Sequence, residues 1–308
     1  MQVLRTVAEV RAWRKQENVR NEDVGFVPTM GCLHEGHASL IQQSIKDNKF
    51  TVVSIFVNPS QFAPTEDLDK YPRTLDADKK LLEELGVDAV FVPQPKDLYP
   101  RGIPLDVSKQ VGPFISVLGL SEKLEGKTRP NFFRGVATVV GKLFNIVQPT
   151  KAYFGQKDFQ QFVVLQNMVK ELFFDLELVM MPITRSATSG LALSSRNKYL
   201  CEESLEIAAN IYKGLKDGAQ LIIKNQATEG VTRDDVLDAI QSRWIPYYQT
   251  GDFKLDYISI ADVETLDEVE TLSNKSQDIV ISCAVYVRDR LDLKTTVRLI
   301  DNVLVPGC

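Results

Sequence analysis

Along the first 185 residues the apolar positions switch between two periods. Residues 24–28 form a short apolar run, and within 38–45 Leu40, Ile41 and Ile45 recur at the spacing of one helical face. Residues 51–57 are β-branched and almost continuously apolar, as a strand covered on both faces requires. Strand, helix and strand therefore follow within about 30 residues, the size of one βαβ unit. The same alternation predicts helices over 76–85, 136–146 and 160–173, and strands over 89–92, 152–154 and 176–181. Such an order predicts an α/β fold, a doubly wound parallel sheet with helices on both faces. Ligands in these sheets bind beyond the carboxyl ends of the strands, so the loops after Val27, Val57 and Phe154 are where chemistry is expected.

After about residue 185 the texture changes. A helix is predicted over 202–224, and Thr232-Arg-Asp-Asp235 opens another in the manner of a capping box. Strands follow over 254–260, 278–287 and 296–299, the second nearly all apolar and leading toward Arg288 and Arg290. Two domains are expected, residues 1–185 and a smaller α+β domain over 186–308. A chain of 308 residues can bury a core in each without disulfides or a structural metal. No internal repeat or low-complexity tract interrupts this order.

Composition adds exclusions. Hydrophobic residues make up 44% and charged residues 25%, the proportions of an ordinary globular protein. Lys and Arg number 36 against 41 Asp and Glu, a net charge of −5 with no basic block, which argues against a nonspecific nucleic-acid binder. Cys32, Cys201, Cys283 and Cys308 are far apart without a CxxC pair, and no apolar signal region opens the chain, so unpaired thiols in a cytoplasmic protein are expected. Cys308 does not complete a prenylation box, and the apolar runs are too short to span a bilayer.

The chain has two histidines, and both fall within Thr29-Met-Gly-Cys-Leu-His34-Glu-Gly-His37, after a predicted strand and at the start of a helix. A helix N-terminus presents unpaired N–H groups and a favourable dipole to an anion. Gly31 permits a sharp turn and Gly36 a close backbone approach. Two imidazoles there can donate hydrogen bonds to phosphate oxygens as charge grows in phosphoryl transfer. A zinc site would want the i,i+4 pair of HExxH and a third ligand, whereas this pair is spaced i,i+3. A pair without function would leave the flanking glycines unexplained.

Two further segments fit a polyphosphate site. Tyr153-Phe-Gly155-Gln156-Lys157-Asp158 follows a predicted strand and places Lys157 as a cation for phosphates. Leu193-Ser194-Ser195-Arg196-Asn197 follows Gly190 and offers two hydroxyls and a guanidinium. Taken singly, each also reads as a helix cap beside a surface charge. Asn58-Pro-Ser-Gln61-Phe62 is a polar loop without ionisable groups, suited to a hydroxyl or carboxylate read by hydrogen bonds. Tyr71-Pro-Arg73, Arg129 and Arg134 are candidate anion clamps that read equally well as solvated surface.

With these segments in this order the chain resembles the pantoate–β-alanine ligase (pantothenate synthetase) family of HxGH nucleotidylyl transferases. The resemblance runs from about residue 24 to 200 and more loosely to the end. It rests on the 28–37 loop, Val53-Ser-Ile-Phe-Val-Asn-Pro-Ser-Gln-Phe62, Tyr71-Pro-Arg73, Leu124-Glu-Gly126, Tyr153–Gln161 and Gly190–Asn197. It implies a Rossmann-like N-terminal domain, a C-terminal domain that closes as a lid, a homodimer, and Mg²⁺ accompanying ATP. The implied reaction is attack of the (R)-pantoate carboxylate on the α-phosphorus of ATP, giving pantoyl adenylate and pyrophosphate, then attack of β-alanine on the acyl carbon. By the same resemblance Met30, Gly31, Cys32, Leu33, His34, Glu35, Gly36 and His37 bind ATP, with His37 as proton donor to pyrophosphate and His34 supporting the phosphates. Gly155, Gln156, Lys157, Asp158, the backbone at Thr184, and Leu193, Ser194, Ser195 and Arg196 complete the ATP site, with Lys157 in a catalytic role. Gln61 binds pantoate beside the β-alanine site, and Gln161 binds pantoate. No protein ligand for a metal is indicated.

Three positions depart from the family pattern: Asn131-Phe132 where a Gly or Thr and then His is usual, Gln156 where Glu is common, and Ser189 in place of an Asp. They leave open altered affinity for β-alanine or ATP. One rival is an HxGH enzyme that transfers AMP onto a phosphate, which would call for more cations around the second site than the amide-rich 58–61 and 160–161 segments supply. Another is a non-catalytic nucleotide-binding descendant, suggested by Phe132.

Overall fold

A computed structural model of the chain describes residues 1–63, 68, 71–225, 231–272 and 278–307. It separates into two compact units, Met1–Gln156 with Gln160–Pro182, and Lys157–Phe159 with Ile183–Cys308. The second unit thus takes in a three-residue piece just after the fifth strand and begins its main stretch at Ile183.

In the first unit β1 (Gln2–Leu4), β2 (Val24–Thr29), β3 (Phe50–Ile55), β4 (Ala89–Phe91), β5 (Lys151–Gly155) and β6 (Glu177–Met181) form one sheet in the order β1-β4-β3-β2-β5-β6. Each pairing is parallel. From β2 the chain steps outward through β3 to β4, then returns to the other side of β2 for β5 and β6, so the winding reverses between β2 and β5. The β2–β5 ladder joins only Gly25 to Lys151 and Phe26 to Ala152. The two strands have therefore stopped pairing before Pro28. A proline lacks the ladder N–H, and it is tolerated in this central strand because one neighbour has already let go. The opening at the carboxyl ends of β2 and β5 is the switch point where such sheets receive ligands.

The helices of this unit are α1 (Val7–Arg14), α2 (Glu35–Asp47), α3 (Leu75–Leu85), α4 (Pro95–Leu98), α5 (Glu125–Thr128), α6 (Phe132–Val147) and most of α7 (Phe159–Glu171). Residues Val136, Val140, Leu143 and Val147 of α6 are buried together with Phe133, Val139 and Phe144, so this helix is apolar nearly all round and lies in the interior. It starts a full turn before the expected residue 136, after Asn131 in the left-handed conformation (φ 67°). The 51–57 run ends as a strand at Ile55, and residues 56–57 lead into the next turn. The strand that the pattern placed first is the second, because β1 and α1, three and eight residues long, are too short to show a period.

The second unit holds α8 (Glu202–Lys224) and α9 (Arg233–Gln249) and an antiparallel sheet of β7 (Phe253–Asp262), β8 (Ile279–Arg288) and β9 (Thr296–Val305) in that order. Thr232 and Asp235 form the expected capping box, Asp235 N–H donating to Thr232 Oγ1 at 3.2 Å and Thr232 N–H to Asp235 Oδ2 at 2.8 Å. Ile211, Leu215, Ile240, Trp244, Ile281 and Val285 make the core. β9 runs six residues past the expected end at Leu299, because the polar pair Asp301-Asn302, buried at 3% and 2% exposure, hides the strand from an apolar pattern.

Among the described residues no helix is long and apolar enough to cross a membrane. Cys32, Cys201 and Cys283 are thiols outside any disulfide, and Cys308 lies outside the described residues.

Candidate active site

The histidine loop leaves β2 through Thr29, whose hydroxyl donates to Ser54 O at 2.8 Å and accepts Gly31 N–H at 3.2 Å. Gly31 (φ 82°) and Cys32 (φ 54°) are both left-handed, which turns successive N–H groups to one side. Asp78 of α3, 3% exposed, holds them: its carboxylate accepts Cys32 N–H at 3.0 Å, Leu33 N–H at 2.8 Å and the Thr74 hydroxyl at 3.1 Å. A Cβ at Gly31 would stand 3.1 Å from both the Asp78 carboxylate and the Ile55 side chain. Glycine is thus required there by conformation and by space.

His34 is the N-cap of α2 and half-buried. Its Nδ1 accepts Gly36 N–H at 3.1 Å, while His37 Nδ1 accepts His34 N–H at 3.3 Å. The rings lie 4.2 Å apart between centroids. A nitrogen that accepts bears no hydrogen, so each imidazole is the neutral tautomer with its proton on Nε2. Both rings are thereby held through Nδ1 at the helix start.

The turn after β3 is built from amides. Asn58 and Ser60, 1% and 8% exposed, are locked against α6: Asn58 Nδ2 donates to Gly135 O at 3.1 Å and Ser60 Oγ to the same carbonyl at 3.3 Å. Gly135 permits this approach, since a Cβ would lie 2.3 Å from Ser60 O. The other Asn58 N–H donates to Gln61 Oε1 at 3.0 Å, and Gln61 Nε2 donates to Met30 Sδ at 3.2 Å. The turn and the histidine loop therefore meet directly. Tyr99 closes the network, donating to Asn58 Oδ1 at 2.8 Å and bonding Ser60 Oγ at 2.9 Å. Burial pushes its hydroxyl up to about 12, so it stays a donor throughout the neutral range.

Beside Gln61, Arg129 donates to the Gln61 carbonyl at 3.3 Å and its guanidinium lies 3.8 Å over the Phe132 ring. Phe132, where the family pattern has histidine, is a platform for that cation. Arg134 is turned elsewhere, onto Gln110 Oε1 at 2.6 Å and the Phe114 ring at 3.7 Å, and is spoken for as a clamp. Arg73 is exposed. Residues 160–161 lie in the first turn of α7, as the helix expected over 160–173 places them. Gln160 is structural, donating to Leu120 O and Lys123 O and accepting Glu125 N–H, whereas Gln161 beside it is half-buried.

The remaining expected residues belong to the second unit, apart from Gly155 and Gln156 at the end of β5 in the first. Lys157, 18% exposed, lies 3.5 Å from Asp158, and its carbonyl accepts from Asn302 Nδ2 at 3.0 Å. Thr184 O accepts Leu193 N–H at 2.9 Å, closing a hairpin whose turn holds Ser189. Arg185 braces that hairpin, pairing with Asp301 at 2.6 and 2.8 Å, donating to Gly190 O at 3.3 Å and lying 3.6 Å over the Tyr212 ring. Ser194 then caps the turn Ser195–Tyr199, accepting Arg196 N–H at 3.2 Å, and Arg196 is exposed. Asp78, Tyr99 and the Arg185–Asp301 pair were not anticipated from sequence. Asp78 lies in the first turn of α3, one of two acids there, and that is the only local signal it carries.

A parallel sheet with a histidine-bearing loop and helix N-terminus at its switch point is the arrangement of a nucleotide-handling α/β enzyme. Comparison with known proteins narrows this. The model of the pantoate-beta-alanine ligase family matches residues 2–304. The pantoate--beta-alanine ligase of Saccharomyces cerevisiae is 62% identical over 99% of this chain and 100% of its own, and the pantothenate synthetase of Fervidobacterium nodosum is 42% identical over 99% of each. The crystal structure of the Thermus thermophilus enzyme, a pantothenate synthetase, matches with a TM-score of 0.83 at 38% identity, covering 100% of both chains. That of Francisella tularensis pantoate-beta-alanine ligase, complexed with beta-gamma ATP and beta-alanine, matches with a TM-score of 0.72 at 33% identity, covering 99% of this chain and 97% of that one. The chain belongs to the pantoate-beta-alanine ligase family.

Proposed function

We propose that the chain condenses (R)-pantoate with β-alanine at the expense of ATP, releasing AMP and pyrophosphate, with the histidine loop and the 58–61 turn as its reacting centre. Family membership supports the reaction, and one observation carries the residue assignment: both imidazoles are fixed through Nδ1 at the N-terminus of α2, just beyond the carboxyl end of β2. A pantoate carboxylate oxygen attacks the α-phosphorus, the bond to the bridging oxygen breaks, and the β,γ-phosphates leave as pyrophosphate. The β-alanine amine then attacks the acyl carbon, loses a proton and expels AMP. In this scheme His37 and His34 donate hydrogen bonds from Nε2 to the phosphates as charge develops. His37 acts as a neutral donor, since a second proton would have to displace the N–H bonded at Nδ1.

Residues 30–37 with Gly155, Gln156, Lys157, Asp158, Thr184, Leu193, Ser194, Ser195 and Arg196 are proposed for ATP, and Gln61 and Gln161 for pantoate. Among the described residues no group of three or more His, Cys, Asp or Glu is placed to hold a metal ion. The bound carboxylate of Asp78 is taken by N–H groups, so Mg²⁺ is proposed as a companion of the triphosphate, ligated by phosphate oxygens and water. A homodimer, and a C-terminal unit that serves as a lid, are proposed on the resemblance alone, and a cytoplasmic location on the scattered cysteines.

The test is pyrophosphate–ATP exchange with ATP, Mg²⁺ and pantoate in the absence of β-alanine. Pantoate-dependent exchange is expected, with AMP and pantothenate formed once β-alanine is added; no exchange would overturn the adenylation step. His37→Ala is expected to lower kcat by about 10²–10³-fold, the usual contribution of a positioned hydrogen-bond donor to developing charge.

A further inference from the structure

The amide of Gln61 could face a ligand with either end, and the network beneath it settles which. The Gly135 carbonyl only accepts and the Ser60 main-chain N–H only donates, and Asn58 is held between them, Nδ2 toward Gly135 O at 3.1 Å and Oδ1 toward Ser60 N at 3.4 Å. The long second contact is reinforced by the Tyr99 hydroxyl, which reaches Oδ1 at 2.8 Å, shorter than the Ser60 hydroxyl at 3.1 Å. So oriented, Asn58 has an N–H left only for an acceptor, and Gln61 meets it with Oε1 at 3.0 Å. Gln61 Nε2 is then turned outward onto Met30 Sδ, a weak acceptor that a ligand oxygen readily outbids.

We propose that Tyr99 is a positioning residue of this ligase: through the buried amide of Asn58 its hydroxyl fixes Gln61 so that N–H donors, and not the carbonyl, meet the oxygens of pantoate. The proposal rests on the reading of Gln61 as a pantoate-binding residue. Tyr99 is itself out of reach of substrate, 4% exposed, with the Lys142 ammonium 3.8 Å over its ring and bonded to Leu98 O at 2.8 Å. Its ring is therefore held independently of the hydroxyl, and removing the hydroxyl deletes its contacts with Asn58 Oδ1 and Ser60 Oγ and little else.

Tyr99→Phe is expected to raise the KM for pantoate about five- to tenfold, the worth of one buried hydrogen bond, while kcat and the KM for ATP stay within about twofold. In a Gln61→Ala background the same substitution is expected to leave the pantoate KM unchanged, because the group it positions is gone. Asn58→Asp, which sets an oxygen against Gln61 Oε1 and also against Gly135 O and turns the Gln61 amide round, is the second variant, checked for native fold by circular dichroism. It is expected to raise the pantoate KM at least about tenfold, again only where Gln61 is present. An unchanged pantoate KM in Tyr99→Phe, or an equal rise with and without Gln61, would overturn the positioning role. If Gln61→Ala alone leaves the pantoate KM unchanged, the pantoate reading of Gln61 fails and the proposal with it.

Discussion

Asp78 shows how much of the site depends on a residue that makes no claim on attention in the sequence. It is one acid among 41, on a helix 46 positions from Cys32, yet its carboxylate holds two consecutive loop N–H groups. Charge-assisted bonds of this kind contribute about 1.5–3 kcal/mol each, and the loop they hold contains Cys32 in a conformation that side chains disfavour. Asp78→Asn, which can offer only one acceptor atom to two donors, is expected to lower kcat/KM for ATP by at least about tenfold in steady-state assays, with the KM for pantoate much less affected. The two histidines were legible because a chain with only two placed both in one loop. Asp78 and Tyr99 were not, because what they do is defined by partners 45 or 46 and 41 residues away.

At the scale of elements, periodicity located long helices and buried strands and missed what interrupts a period. β1 and α1 were too short, the first turn of α6 was hidden behind a left-handed Asn131, and β9 was cut at the buried pair Asp301-Asn302. The second unit closes around acidic anchors. Asp289 accepts N–H from Cys201, Leu291 and Asp292, and Asp252 pairs with Arg290 at 2.6 Å. Backbone donors hold the Asp289 carboxyl well below the ordinary carboxylate range, and the Arg290 hydrogen bonds do the same for Asp252. A folded pKa below the unfolded value means the folded state binds fewer protons. That stability is present above pH about 4 and is lost as pH falls through the depressed values. Urea unfolding followed by Trp244 fluorescence in a Trp13→Phe protein is expected to show a falling midpoint below pH about 4, and Asp252→Asn with Asp289→Asn is expected to flatten that dependence.

For the whole molecule, the alternation of elements gave the α/β fold and its smaller α+β companion, and the parallel sheet was legible because buried parallel strands read as continuous apolar runs. Less legible was the division of labour: Lys157 follows β5 in the chain yet belongs to the unit that carries Thr184 and Arg196, drawn there by Asn302. A chain of net charge −5 binds a polyanion only through local donors, so ligand affinity is carried by few groups. ATP at about a hundredfold over its Kd is expected to stabilise the protein by about 2.7 kcal/mol, read as a higher urea midpoint. At the same ATP concentration, His37→Ala is expected to show a smaller shift.

The imidazoles proposed for the phosphates are also the fastening of the helix beneath them, each occupied at Nδ1 by a main-chain N–H. An imidazolium would grip pyrophosphate as one ion grips another, but here it could form only by letting go of the helix start. On that assignment the loop meets the departing anion with dipoles and not with a full positive charge, an arrangement that favours discharge of the product over its retention.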